Sequence, residues 1–296
     1  MLNRRYAARR EYFGFLIYDR FNGDNFILKY ADNSTFPSKL RLKSGPHEKI
    51  ITDSEVDFND TTVLRNDILV GPIYTEVYIT RFCNERCEFC YVGPLLTNKQ
   101  LEMDVRLAGT VALKLKELGA FEVALLGGEP FLHSNLANII EVFSHSGIRV
   151  AVSTNGTILD KKIFDLLANT KSTLNISFHS HIPEIHAKLV KNSIALSKLM
   201  ETVNYLVNKG YAPNISMVLN ELNLSTAKDT VAFLLKIGIK NISLYHLIKE
   251  GFAGGPYHGI SFADYKKAFL NSSIPFEKFH ICFASSSAKV PSDEFL

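Results

Sequence analysis

Ile73-Tyr-Thr-Glu-Val-Tyr-Ile79, followed at once by Thr80-Arg-Phe-Cys-Asn-Glu-Arg-Cys-Glu-Phe-Cys-Tyr91, is the stretch that decides how this chain folds. The apolar, β-favouring run reads as a strand, bounded by Gly71-Pro72 on one side. Cys83, Cys87 and Cys90 then fall on the loop leaving the strand's C-terminal end. A (β/α) barrel keeps its chemistry on that rim.

Working outward, the strand is the first of a repeating unit. Strand-like runs recur at Phe121–Leu126, Arg149–Ser153, Thr173–Phe178, Asn214–Leu219 and Asn241–Leu247. Amphipathic stretches lie between them at Asp104–Leu118, Leu136–His145, Asp160–Ala168, Ile194–Lys209 and Ser225–Ile237, with apolar residues at helical spacing such as Ile163, Leu166 and Leu167. Gly119, Gly147, Gly210 and Gly238 each follow a helix, where a left-handed cap favours glycine. Six such repeats with right-handed crossovers predict an α/β fold, a parallel sheet that curls, over residues 71–250.

Residues 1–70 read differently. Tyr12–Tyr18 and the alternating Phe26, Leu28 and Tyr30 flank Asn22-Gly23-Asp24, a hairpin signal. Turn residues at Asn33, Pro37, Gly45-Pro46 and Asn59-Asp60 break up the remainder. A small β-rich module is expected, capping the barrel or offering an edge strand to a peptide. Residues 251–296 form a short extension: a Gly-rich loop at Gly251–Gly259, a helix at Phe262–Leu270, a strand at Phe276–Phe283 and a polar tail.

Three thiolates on one short loop can hold three irons of a cubane and leave the fourth open. A structural zinc site normally needs four closed ligands, and the only further cysteine is Cys282. Common ferredoxin spacings place four cysteines. A disulfide framework does not suit four cysteines in 296 residues.

The three-then-two spacing of Cys83, Cys87 and Cys90 resembles the radical S-adenosylmethionine (SAM) family. Gly127-Gly128-Glu129-Pro130 after the second strand and Ser153-Thr-Asn-Gly-Thr157 after the third resemble that family's GGEP and STNG elements. The resemblance implies that the six repeats form a partial (β/α)6 barrel of TIM type, and that the three cysteines hold a [4Fe–4S] cluster with SAM chelating the open iron. Electron entry would cleave SAM to a 5′-deoxyadenosyl radical that takes hydrogen from substrate. It further implies that Phe89 lies near the adenine, that Gly127 and Gly128 let the backbone approach the cofactor closely, and that Glu129 offers its carboxylate to the SAM ammonium. Ser153, Asn155, Ser177 and Asn220 would make further contacts with the cofactor. Relatives often carry Ser-hydrophobe-Asp-Gly at the fourth strand and an arginine beyond it. This chain has Ser177-Phe-His179-Ser180, and only Lys188 and Lys191 near the arginine position.

His179, His181 and His186 cluster in sequence on what reads as a loop. His179 is a candidate acid or hydrogen-bond donor toward substrate, and Tyr245 and His246 end strand six at the same mouth. Cys282 alone cannot hold an auxiliary cluster, so no full SPASM extension is recognisable. A core position or hydrogen-atom donation to a substrate radical are its open roles.

Composition agrees with an enzyme: 46% hydrophobic, 21% charged and a net charge of +3. No basic block indicates nucleic acid, and no apolar run approaches the ~20 residues that cross a membrane. The basic start Met1–Arg10 lacks a following apolar segment, so a cytoplasmic location is expected. In style the chain is most similar to the peptide- and protein-modifying maturases, which implies a ribosomal peptide substrate and a reductant such as flavodoxin or ferredoxin. A small-molecule substrate (nucleotide or sugar) and an iron–sulfur protein without radical chemistry are the alternatives.

Overall fold

The computed structural model describes residues 4–11, 14–21, 25–29, 39–44, 47–59, 70–247, 251–254, 260–269 and 279–282. The turns expected at Asn22-Gly23-Asp24, Asn33, Pro37 and Gly45-Pro46, most of the loop 251–259 and the polar tail lie outside those residues.

The N-terminal strands are β1 (Tyr6–Glu11), β2 (Gly14–Asp19), β3 (Asn25–Lys29), β4 (Lys39–Ser44), β5 (His47–Thr52) and β6 (Val56–Asn59). Four of them form a sheet in the order β3-β2-β1-β6, and β4 pairs with β5 apart from it. The expected hairpin is present, with β2 antiparallel to β3 from Tyr18↔Asn25 to Gly14↔Lys29. Both faces of β1 and β2 are buried. Tyr6, Ala8, Phe15 and Ile17 cluster with Val56 on one side. On the other, Ala7, Leu16 and Tyr18 pack on Phe121. That is why Phe15–Tyr18 reads as a continuous apolar run instead of alternating.

The rest alternates strand and helix: β7 (Tyr74–Thr80), α1 (Val105–Glu117), β8 (Glu122–Gly127), α2 (Leu136–His145), β9 (Arg149–Thr154), α3 (Lys161–Asn169), β10 (Thr173–Ser177), α4 (Pro183–Val190), α5 (Ala195–Asn208), β11 (Asn214–Leu219), α6 (Leu224–Lys236), β12 (Asn241–His246), α7 (Phe262–Phe269) and β13 (Phe279–Cys282). The strands β7 to β13 line up in chain order, and all are parallel. The barrel sheet thus gains a seventh strand beyond the six expected, with Tyr245 opposite Cys282.

Alternate positions face opposite ways. Val123, Leu125, Val150, Val152, Ile215 and Met217 join Ala108, Ala112, Ile139 and Val231 of the helices in one core. The intervening positions of β10, β11 and β12, such as Asn175, Ser177, Ser216 and Ser243, stay partly exposed and form the inner face. Two helices open on an aspartate: Asp104 accepts from Leu107 N–H, and Asp160 from Lys162 and Ile163 N–H. Each such cap is worth about 1 kcal/mol.

The N-terminal sheet seals the end opposite the cysteines. Arg9 is fully buried. It donates to the carbonyls of Gly71 at 2.7 Å, Pro72 at 3.2 Å and Gly119 at 2.7 Å, and lies over the Phe121 ring at 4.9 Å. The Tyr18 hydroxyl donates to the Glu122 carboxylate, which pairs with Arg149 at 2.5 Å. Glu122 and Arg149 begin β8 and β9, so this network lies at the strands' N-terminal ends.

Candidate active site

The cysteine loop departs from Thr80 and is pinned to the end of α4. Arg86 N–H donates to Val190 O at 3.2 Å and Glu88 N–H to Leu189 O at 3.0 Å. Cys87 and Phe89 pack against Leu189, Val190 and Ala195. Inside the loop, Cys90 N–H donates to Cys87 O at 3.2 Å, and Arg86 Nη1 to Cys83 O at 2.7 Å. All three cysteines are free thiols at intermediate exposure. Burial pushes the Cys83 thiol up to about 12, with Glu129, Glu85 and Cys90 adding to the rise. The Cys87 thiol moves well above its usual value for the same first reason, with Glu85, Cys83 and Cys90 contributing.

Gly127 and Gly128 make room for the cysteine loop. A Cβ on Gly128 would stand 2.1 Å from Phe82 O and 2.9 Å from Cys83 Cβ, and one on Gly127 2.4 Å from Thr80 O. Backbone–backbone approach this close excludes any side chain. Two ladder-like bonds result, from Gly128 N–H to Thr80 O at 2.9 Å and from Glu129 N–H to Phe82 O at 2.8 Å.

Glu129 is 1% exposed. Its carboxylate accepts from Thr154 Oγ1 at 2.6 Å, Asn155 N–H at 2.7 Å and Phe131 N–H at 3.0 Å. Burial outweighs these three donors and raises its pKa to about 7. Asn155 reaches back to the cysteine loop, its Nδ2 donating to Asn84 Oδ1 at 2.7 Å. Asn84 in turn donates to Thr157 Oγ1 at 2.8 Å. The GGEP and STNG elements are therefore bonded both to each other and to the loop between the first two cysteines.

A cavity of about 460 Å³ opens at this rim. Cys83, Cys87, Cys90, Phe89, Gly127, Gly128, Glu129, Ser153, Asn155, Ser177 and His179 all line it, as do Tyr245 and His246. Asn220 is not among its lining residues: it is 1% exposed, its Oδ1 accepting from Leu222 N–H at 2.9 Å. Asn223, which the sequence reading passed over, holds the neighbouring turns. Its Nδ2 donates to His179 O and Val218 O, and its Oδ1 accepts from Asn220 N–H.

The three histidines do not form one group. His186 is not on a loop but inside α4, 2% exposed, and stacks on His179 at 6.0 Å. His181 turns away, its Nδ1 2.9 Å from Thr230 Oγ1. Among the described residues no three His, Cys, Asp or Glu side chains gather to hold a single ion. His179 sits edge-on to Phe89 at 4.7 Å and accepts from Val218 N–H at Nδ1, which leaves its proton on Nε2. Burial holds its pKa down at about 3, with His186 adding to the effect. Such a ring stays neutral and donates a hydrogen bond, so the acid role expected for it is lost. Neither Lys188 nor Lys191 lines the cavity, and Lys191 lies 3.5 Å from Glu88 instead. The Cys282 side chain lies outside those described.

Sequence reasoning missed several further lining residues: Glu76, Tyr78, Glu85 and Tyr91. The signal for the first two was available, since Tyr74, Glu76 and Tyr78 alternate with the buried Val77 and Ile79.

No described helix is long and apolar enough to cross a membrane. The chain resembles the probable GTP 3′,8-cyclase of Metallosphaera sedula at 30% identity over 177 residues, covering 59% of this chain and 56% of that protein. It resembles the antilisterial bacteriocin subtilosin biosynthesis protein AlbA of Bacillus subtilis at 26% identity over 182 residues, covering 58% of this chain and 39% of that one. The chain spans about half the length of the cyclase relatives it matches. Among solved structures, Streptococcus suis SuiB bound to S-adenosylmethionine superposes with a TM-score of 0.71 at 13% identity, over 96% of this chain and 73% of that one. That likeness extends the fold beyond the barrel. Residues 77–234 match the model of the radical SAM superfamily, and to that superfamily the chain belongs.

Proposed function

We propose that this chain is the catalytic part of a radical SAM enzyme acting on a peptide, with the barrel at about 71–250 between flanking modules at 1–70 and 251–296. The family works with a [4Fe–4S] cluster and SAM. The donor set fits the cluster: three soft thiol ligands on one loop, near enough to influence one another and all lining one cavity. Cys83, Cys87 and Cys90 would each hold one iron. Bound there, the cluster and SAM supply a hydrogen-abstracting radical. The chain's own residues orient and shield it. Glu129, fixed by three donors, presents a carboxylate to an ammonium group, and Asn155 ties that carboxylate to the cysteine loop. Phe89 and the Nε2–H of His179 offer a ring face and a donor beside it, and Ser153 and Ser177 supply hydroxyls from the strands between.

One observation carries the peptide reading. The acidic side chains lining the cavity are Glu76, Glu85 and Glu129, and no lysine or arginine is among its described lining residues. A triphosphate would bring several negative charges into partly desolvated space where no described cation neutralises them. A peptide carries no such obligatory charge. The AlbA likeness points the same way.

The second reading, a nucleotide substrate, is favoured by the sequence likeness to GTP 3′,8-cyclases. One experiment separates them. The full-length protein is reconstituted anaerobically, reduced with dithionite, and supplied with SAM plus either GTP or the product of a neighbouring small open reading frame. 5′-Deoxyadenosine and a mass change confined to the peptide are expected. A rearranged nucleotide with an unchanged peptide would replace this reading by the second. No 5′-deoxyadenosine above that of a Cys83→Ala, Cys87→Ala, Cys90→Ala variant would remove both.

A further inference from the structure

Three side chains project from alternate positions of β7 although the strand's packing does not require them. Val77 and Ile79 supply its buried face, while Tyr74 is 48% and Tyr78 40% exposed, with Glu76 exposed between them. Tyr91, next after the third cysteine, is 43% exposed. Its hydroxyl meets that of Tyr78 at 2.5 Å, and the Tyr78 hydroxyl donates to Glu76 at 3.2 Å. Tyr245 closes in from β12. Burial raises the Tyr74 phenol, and Glu76, Glu122, Tyr245 and Tyr91 are near enough to raise it further. Glu76, Tyr78, Tyr91 and Tyr245 all line the cavity.

Exposed tyrosines around a carboxylate form an arrangement with a definite ligand preference. Ring faces carry negative potential and attract cations. Glu76 adds a full charge, and no described cation pairs with it. Neutral and anionic groups gain little here.

We propose that Glu76, Tyr78, Tyr91 and Tyr245 form a subsite for the cationic side chain of a lysine or arginine in the substrate peptide. The subsite holds that residue against the inner face of β7, across the sheet from the strands that carry Ser153 and Ser177. This inference rests on the peptide reading above and narrows it.

Two measurements test it on the reconstituted, SAM-loaded protein. In ligand-observed NMR, n-butylammonium or n-butylguanidinium is expected to bind and n-butanol not. The Glu76→Gln variant, with unchanged circular dichroism, is expected to weaken the cation about tenfold, the usual worth of one charge-assisted contact. Which cation binds better assigns lysine or arginine. Equal binding by wild type and variant, or binding seen without SAM and lost once SAM is loaded, would overturn the subsite. In a selection from a random peptide library, retained peptides are expected to share a lysine or arginine that Glu76→Gln no longer selects. Retained peptides without a basic residue overturn the subsite and leave the peptide reading standing. Retention of GTP and of no peptide overturns the peptide reading, even where the alkyl cations still bind.

Discussion

The backbone N–H of Asn155 donates to the carboxylate of Glu129 at 2.7 Å, joining the ends of two neighbouring parallel strands at the point where both meet the cysteine loop. The bond makes Glu129 a fixed acceptor and leaves the Asn155 side chain free to hold Asn84. A glutamine at position 129 keeps the shape but must turn its NH₂ toward one of three donors. Glu129→Gln is expected to cost roughly 1–3 kcal/mol in urea unfolding, the penalty of one buried unpaired donor. SAM binding by equilibrium dialysis should fall while iron content after reconstitution is kept. Unchanged stability and unchanged SAM retention would remove Glu129 from the site.

Two glycines provide a paired test of crowding. Gly128→Ala forces a Cβ to within 2.1 Å of Phe82 O, so the backbone before Cys83 must move. Iron retained per chain should drop severalfold. Gly109 lies in α1, and a Cβ there meets nothing within 4 Å. Gly109→Ala is expected to stabilise by up to about 1 kcal/mol through helix propensity. Equal effects from the two substitutions would contradict the packing described.

Arg9 donates to three carbonyls from a fully buried position. Arg9→Met fills similar volume but leaves those acceptors without that partner. A loss of roughly 1–3 kcal/mol is expected, the cost of leaving buried carbonyls without their donor. Chemical denaturation measures it, and a loss below 1 kcal/mol would show that water replaces the guanidinium.

His186 supplies a pH dependence. Burial lowers its pKa to about 4, from an unfolded value of 6.5. Above 6.5 both states are neutral and stability is full. As pH falls from 6.5 toward 4, only the unfolded state takes up the proton, so stability declines, by on the order of 3 kcal/mol in all. His179, held down in the same way, adds its own decline below 6.5, so His186→Phe should make this part of the stability–pH curve shallower without removing it. A decline as steep as that of the wild type would take His186 out of the account.

Much of the architecture was legible because burial repeats with the period of each element. The helix Leu136–His145 and the strand Asn214–Leu219 have the bounds their patterns suggested. The helix Pro183–Val190 was not legible. It is eight residues long, opens on Ile182 with no side-chain cap bond, and carries a buried histidine where a helix normally shows an apolar residue. The seventh strand was foreseen as a strand but not as part of the barrel, since pairing across a long gap leaves no local trace. In the site, Cys83, Glu129 and Asn155 stood out through motifs that any side-chain change would disturb. Asn84 did not, because its role is to satisfy the hydrogen bonds of Asn155 and Thr157, and only proximity in space reveals that.

The parallel sheet runs from β7 to β13, and among the described strands these two remain its edges. A cylinder with all its staves joined admits only what can descend its axis, end first. An arc has a side as well as an end, and among the described strands the tyrosine-bearing β7 bounds that side.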